Sequence, residues 1–217
     1  MLLLLLITAY LLSAFFSGRW INDLQLGLFT VAGLLAIRNS LWRRRRIARL
    51  VIAAAFVVSL LIVVIADHLG GLTGLGAASA WTGVLLLLIV VAVVRQILAA
   101  SLVTLQSIYG AISAYLIIGL MFSAFYSAMY YLHDRTFFAQ AVTGNVRSVF
   151  QYFSFTTLTT LGYGDFTAAS SGGRAVAMLE AMTGQIFLAT LVAKLVASFR
   201  PAAASGGAGG AGGTAED

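Results

Sequence analysis

The chain has 217 residues, 61% of them hydrophobic and only 9% charged, against ~25% charged in an ordinary soluble domain. A soluble fold of this length has no single core large enough to hide so much apolar surface, so lipid is its natural solvent. The absence of cysteine excludes disulfides and thiolate metal sites, two histidines (His68 and His133) are too few for a histidine metal cluster, and the net charge of +6 would suggest nucleic acid only in a soluble protein.

Six apolar stretches follow one another, roughly over 1–16, 20–37, 47–66, 81–99, 108–131 and 175–199. Each is near the ~20 residues that cross a hydrocarbon core. In lipid the backbone must satisfy its own polar groups, so these runs are expected to be helices. The first run lacks a basic start and a clear A-x-A cleavage site, and is expected to be a retained helix rather than a signal peptide. With the N-terminus in the cytoplasm, nine Lys and Arg fall inside and four outside. Arg38, Arg43–Arg46, Arg49, Arg95, Lys194 and Arg200 lie inside; Arg19, Arg135, Arg147 and Arg174 lie outside. This satisfies the positive-inside rule and places both termini in the cytoplasm of a multi-pass cell-membrane protein. The Arg43–Arg46 cluster is then a topology signal at the anionic leaflet.

The fourth run carries only Arg95, at its inner end. Asp23 and Asp67 lie near span ends, so neither the charges nor the countercharges of a voltage-sensing helix are present. Residues 1–100 are therefore expected to form a four-helix region that resembles a sensor in count alone. Residues 101–200 are expected to form a separate functional unit, and the Ala- and Gly-rich tail 201–217 to be disordered.

Between the last two spans, residues 132–173 are too long and too mixed in polarity for a turn. An amphipathic stretch, Arg147 to Thr157, leads into a run of Thr and Gly. A short helix that enters the membrane and returns as irregular backbone is the expected layout, because such backbone is tolerated only where protein or water surrounds it.

The stretch Thr159-Thr160-Leu161-Gly162-Tyr163-Gly164-Asp165 resembles the selectivity-filter signature of the potassium-channel family, T-V-G-Y-G-D, with Leu161 in place of valine. The resemblance extends roughly from Gln106 to Phe199. It implies an all-α membrane protein with six transmembrane helices, a re-entrant pore helix and filter between the fifth and sixth, and a homotetrameric pore. It also implies that the carbonyls of Thr160, Leu161, Gly162 and Tyr163, with the Thr160 hydroxyl, bind dehydrated K+. Glycines at 162 and 164 suit the left-handed backbone such a filter needs. Asp165 is expected at the outer mouth, where a carboxylate attracts cations. Tyr152, Phe153 and Thr156 are expected to support the filter from the pore helix. Thr156 stands where family members often carry an acid, so no acidic partner for Asp165 is expected.

The last span resembles the family's inner helix. Gly184 follows Asp165 at the family's spacing to a gating hinge; close helix packing is the alternative reading. Gln185, Leu188, Val192 and Val196 recur at helical spacing and are expected to line the cavity. Glu180, an acid within an apolar run, is expected to meet a partner behind the pore helix, such as a threonine hydroxyl. The implied function is passive potassium conduction without steep voltage gating. The alternative is a non-conducting, pore-like subunit that assembles with or regulates another channel. No catalytic residue, resident metal or cofactor is expected, the permeant K+ aside, and the expected partners are K+ ions, the lipid bilayer and further copies of the chain. A transporter or membrane enzyme would require mid-membrane relays, and only Glu180 qualifies; no P-loop pattern occurs.

Overall fold

The computed structural model describes residues 71–99, 105–133 and 136–198, with the single positions 57, 61 and 65. The first three expected spans, the Arg43–Arg46 cluster and the tail 201–217 lie outside the described residues. Four helices follow in order: α1 (Gly71–Ala99), α2 (Leu105–Leu132), α3 (Val146–Leu158) and α4 (Ser171–Ser198). Three of them, α1, α2 and α4, are long and apolar enough to cross a membrane. The protein is thus a helical, membrane-embedded one.

Helix α1 starts at Gly71 rather than at Trp81, where the strongly apolar run begins. The extra turns are built of small residues that pack. Ala78 is buried, and Gly76 lies against Leu132 at the far end of α2. Along the rest of the pair, Gly83 meets Phe125 and Gly110 meets Ile97. Residue numbers rise on one helix as they fall on the other, so α1 and α2 are antiparallel. Their interface holds Leu85, Leu86, Ile89, Val90 and Val93 against Ala114, Ile117, Ile118 and Met121, closed at one end by Leu158 of α3. The packing therefore runs across residue 100.

A second cluster is almost entirely aromatic: Tyr126 and Tyr130 of α2, Phe137 and Phe138 of the following loop, and Phe150 and Phe153 of α3. Ring centroids lie 4.8–5.4 Å apart for Phe138–Phe150, Tyr126–Phe153 and Tyr130–Phe150, in stacked and edge-on geometries, within the favourable range for aromatic pairs. This box fixes α3 against α2. The loop before α3 also pairs with the chain after it. Ala139 N–H donates to Thr167 O and Ala169 N–H to Phe137 O, both at 2.9 Å.

Helix α4 is the least covered. Its apolar window is 11% buried, against 56% for α2. Among the residues of α4 that are buried or half-buried, Gly173, Ala177, Glu180, Gly184, Phe187, Leu191 and Lys194 recur at spacings of four and three, the period of a helix-packing seam, and Val176, Ala181 and Thr183 flank them. That seam faces α2 and α3. Its opposite side leaves Met178, Met182, Ile186 and Val196 exposed.

Candidate functional site

The site begins with α3. Asn145, in extended conformation, caps the helix by accepting the Arg147 N–H at 3.1 Å. Ser148 Oγ donates to Asn145 O at 2.8 Å. At the other end the chain cannot continue as helix, and its orphan carbonyls need donors. Thr160 N–H donates to Thr157 O at 2.9 Å, and Leu161 and Gly162 N–H both donate to Thr156 O at 2.8 and 3.1 Å. The Tyr115 hydroxyl of α2 donates to Leu158 O at 3.2 Å. The first amides of the Thr-Gly stretch are thus spent on the helix. Among the described residues no donor reaches the carbonyls of Thr160, Leu161, Gly162 or Tyr163.

The backbone of this stretch alternates in hand. Thr160, Gly162 and Gly164 stand at φ +58°, +50° and +79°. Glycine takes such angles freely. Thr160 is the only non-glycine among the described residues to do so, and a β-branched residue there is strained. Its hydroxyl donates to Thr159 O at 2.7 Å.

The expected supporting residues of α3 divide into different roles. Tyr152 stacks on Tyr163, with centroids 6.4 Å apart and planes 6° from parallel. Its hydroxyl also faces the Asp165 carboxylate; desolvation first, then the interaction with Asp165, raise the hydroxyl above the usual tyrosine range. Thr156 acts through its carbonyl, while its hydroxyl donates to Phe153 O at 3.0 Å. Phe153 does not touch Tyr163: it lies in the aromatic box with Tyr126, Phe137 and Phe138. Adjacent helix residues point about 100° apart, so Tyr152 and Phe153 serve different faces of α3. Asp165 also accepts the Phe166 N–H at 3.1 Å. Beyond it, Thr167 N–H donates to Gln140 Oε1 at 2.9 Å. Arg174 closes the turn into α4 by donating from Nη2 to Ala169 O at 2.8 Å and from Nε to Ala168 O at 3.2 Å.

On α4, Gly184 sits directly behind the end of α3. A Cβ added there would overlap the Leu158 carbonyl oxygen and come within 3.0 Å of Leu158 Cδ1. Close approach therefore accounts for glycine at this position without a hinge. Gln185, Leu188, Val192 and Val196 are all exposed in the single chain. Glu180 is fully buried. Its partners are not threonines but Ser154 of α3, at 2.5 Å from Oε1, and Tyr126 of α2, at 2.6 Å from Oε2. Ser154, Tyr126 and Tyr115 are site residues that the sequence does not flag. Their only signal is polarity at positions that the helical periodicity turns inward.

The description "ion channel" belongs to a family model that matches residues 84–200 of this chain. The chain belongs to the ion channel family. The match covers more than half of the 217 residues and takes in α2, α3, the Thr-Gly stretch and α4. It also starts within α1, well before Gln106, in keeping with the packing of α1 on α2. No curated protein and no solved structure matches the chain. Membership favours transport through the membrane over catalysis. Among the described residues no group of three or more acidic, His or Cys side chains is placed to hold a metal ion.

Proposed function

We propose that the chain is one subunit of a homotetrameric, potassium-selective channel of the cell membrane, with residues 160–164 as its filter. The observation that carries this reading is the left-handed alternation at Thr160, Gly162 and Gly164, in a stretch whose first amides are committed to α3 and whose carbonyls are uncommitted. Uncommitted carbonyls in an apolar setting are unfavourable unless something satisfies them. A ring of such oxygens replaces the water shell of a potassium ion. One subunit supplies one segment, so closing the ring requires rotational symmetry, four-fold for this signature.

Each named residue then has a task. Carbonyl oxygens of Thr160, Leu161, Gly162 and Tyr163 coordinate successive ions, and Leu161 and Tyr163 direct their side chains to protein. The stack on Tyr152 holds the width of the filter. Asp165, steadied by the Tyr152 hydroxyl, concentrates cations at the outer mouth. The C-terminal end of α3 directs its partial negative charge toward the cavity. Gln185, Leu188, Val192 and Val196 line the path below it. Conduction is passive, and the lone Arg95 of α1 gives little leverage to voltage.

Flux assays on the purified chain in liposomes test this. Potassium flux well above sodium flux, abolished by Tyr163→Ala, is the expected result. Equal flux of both ions would remove the selectivity claim. No flux from correctly assembled protein would favour the non-conducting subunit.

A further inference from the structure

Three short oxygen contacts form a chain through Glu180 and Ser154. Tyr126 OH lies 2.6 Å from Oε2, Ser154 Oγ lies 2.5 Å from Oε1, and the same Ser154 Oγ lies 2.6 Å from the carbonyl of Gly119. All of the side chains are buried, Ser154 and Glu180 completely. Each contact is at hydrogen-bond length for two oxygens, and each needs one proton between them. A hydroxyl has one proton to give, a carbonyl none, and an ionised carboxylate none. Tyr126 and Ser154 together supply two protons for three contacts.

We propose that Glu180 is held as the neutral acid and that its proton ties α4 to α3. Oε1–H donates to Ser154 Oγ, Ser154 donates to Gly119 O, and Tyr126 donates to Oε2. Every contact is then filled once, and the relay runs from α4 through α3 to α2. With an ionised Glu180, one contact would set two lone pairs face to face in a site closed to water. The remaining titratable group facing Glu180 is Tyr115 of α2. Among the described residues no Lys or Arg bonds the carboxyl, so no cation offsets a negative charge there. Glu180 is a positioning residue. It fixes α3 against α4 about a turn and a half before the Thr-Gly stretch, and its effect on permeation rests on the channel reading above. The proton does not.

The test is infrared spectroscopy of the full chain in lipid at neutral pH, wild type minus Glu180→Gln. The chain has only seven acidic residues, so one protonated carboxyl is resolvable. A C=O band of a carboxylic acid, sensitive to D2O and lost in the variant, is expected. A difference spectrum showing only carboxylate bands overturns the proposal. Thermal unfolding gives the second reading. Glutamine keeps a donor toward Ser154 and an acceptor toward Tyr126, so Glu180→Gln should unfold near the wild-type temperature. Glu180→Ala and Ser154→Ala should unfold about 4–8 °C lower. A glutamine variant as unstable as the alanine one also overturns it. Should Glu180→Gln not fold, Tyr126→Phe serves instead: losing a donor to C=O must raise the acid band's frequency, and an unmoved or absent band refutes the relay. An intact acid band in protein that passes no potassium would sink the channel reading and leave the proton standing.

Discussion

At the scale of single residues, Thr160 shows the sharpest conflict between local preference and observed conformation. Its φ of +58° is unfavourable for an L-residue by roughly 1–2 kcal/mol, and the Thr157 and Thr156 carbonyls hold it there through the amides of Thr160, Leu161 and Gly162. Thr160→Gly should therefore raise the thermal unfolding temperature while lowering potassium flux, because it relieves the strain and removes the hydroxyl together. A variant with unchanged stability would show that the angle carries no strain. The left-handed positions at Gly162 and Gly164 were legible, since glycine announces them. Thr160 was not, because nothing in a threonine signals it; only the every-second-residue alternation requires it. Phe153 packs in the aromatic box rather than beside Tyr163 because of the rotation between neighbours on a helix. The partners of Glu180 were missed because they lie 26 and 54 residues away, beyond any local pattern. Tyr152→Phe separates its two roles: the stack on Tyr163 survives and the interaction of the hydroxyl with Asp165 goes. Selectivity is expected to persist while the Asp165 segment exchanges its amide hydrogens faster, as hydrogen–deuterium exchange would report.

At the scale of elements, α3 was legible nearly to the residue, because an amphipathic stretch between turn residues marks both of its ends. The start of α1 was not, because small residues such as Ala78 read as linker until their packing on α2 is known. Gly184 illustrates a motif with two meanings. Its spacing from Asp165 suggests a hinge, and its contact with Leu158 explains the glycine by space alone. Gly184→Ala should destabilise the protein by about 1–3 kcal/mol through that overlap, measurable as a lowered unfolding temperature. A pure hinge would instead change open probability and leave stability alone. Lys194 is a second tie between elements. Its ammonium donates to Ile97 O and, at 3.1 Å, to Leu98 O, meeting the negative end of α1 with a positive charge. Lys194→Met should release the last turn of α1, with faster hydrogen exchange there and none in α3.

At the scale of the whole molecule, the uneven burial of the helices is the main fact. An apolar helix with one seam packed and its broad remainder bare fits lipid and, on the reading proposed above, neighbouring copies. Native mass spectrometry from detergent is expected to find four times 22.9 kDa; a stable monomer or dimer that conducts would refute the four-fold pore. The fourth, fifth and sixth apolar runs were legible as long helices, but which face of each one meets protein was not, because a helix apolar all round carries no moment to orient it. The aromatic box has a practical corollary. Tyr126, Phe137, Phe138, Phe150 and Phe153 lock the two stems of the loop, while Thr143 and Gly144 stand exposed outside it with open space around Gly144. A peptide tag or fluorescent reporter inserted between those two residues would hang from a clamped frame, which makes this loop the natural handle for labelling the protein without disturbing its working parts.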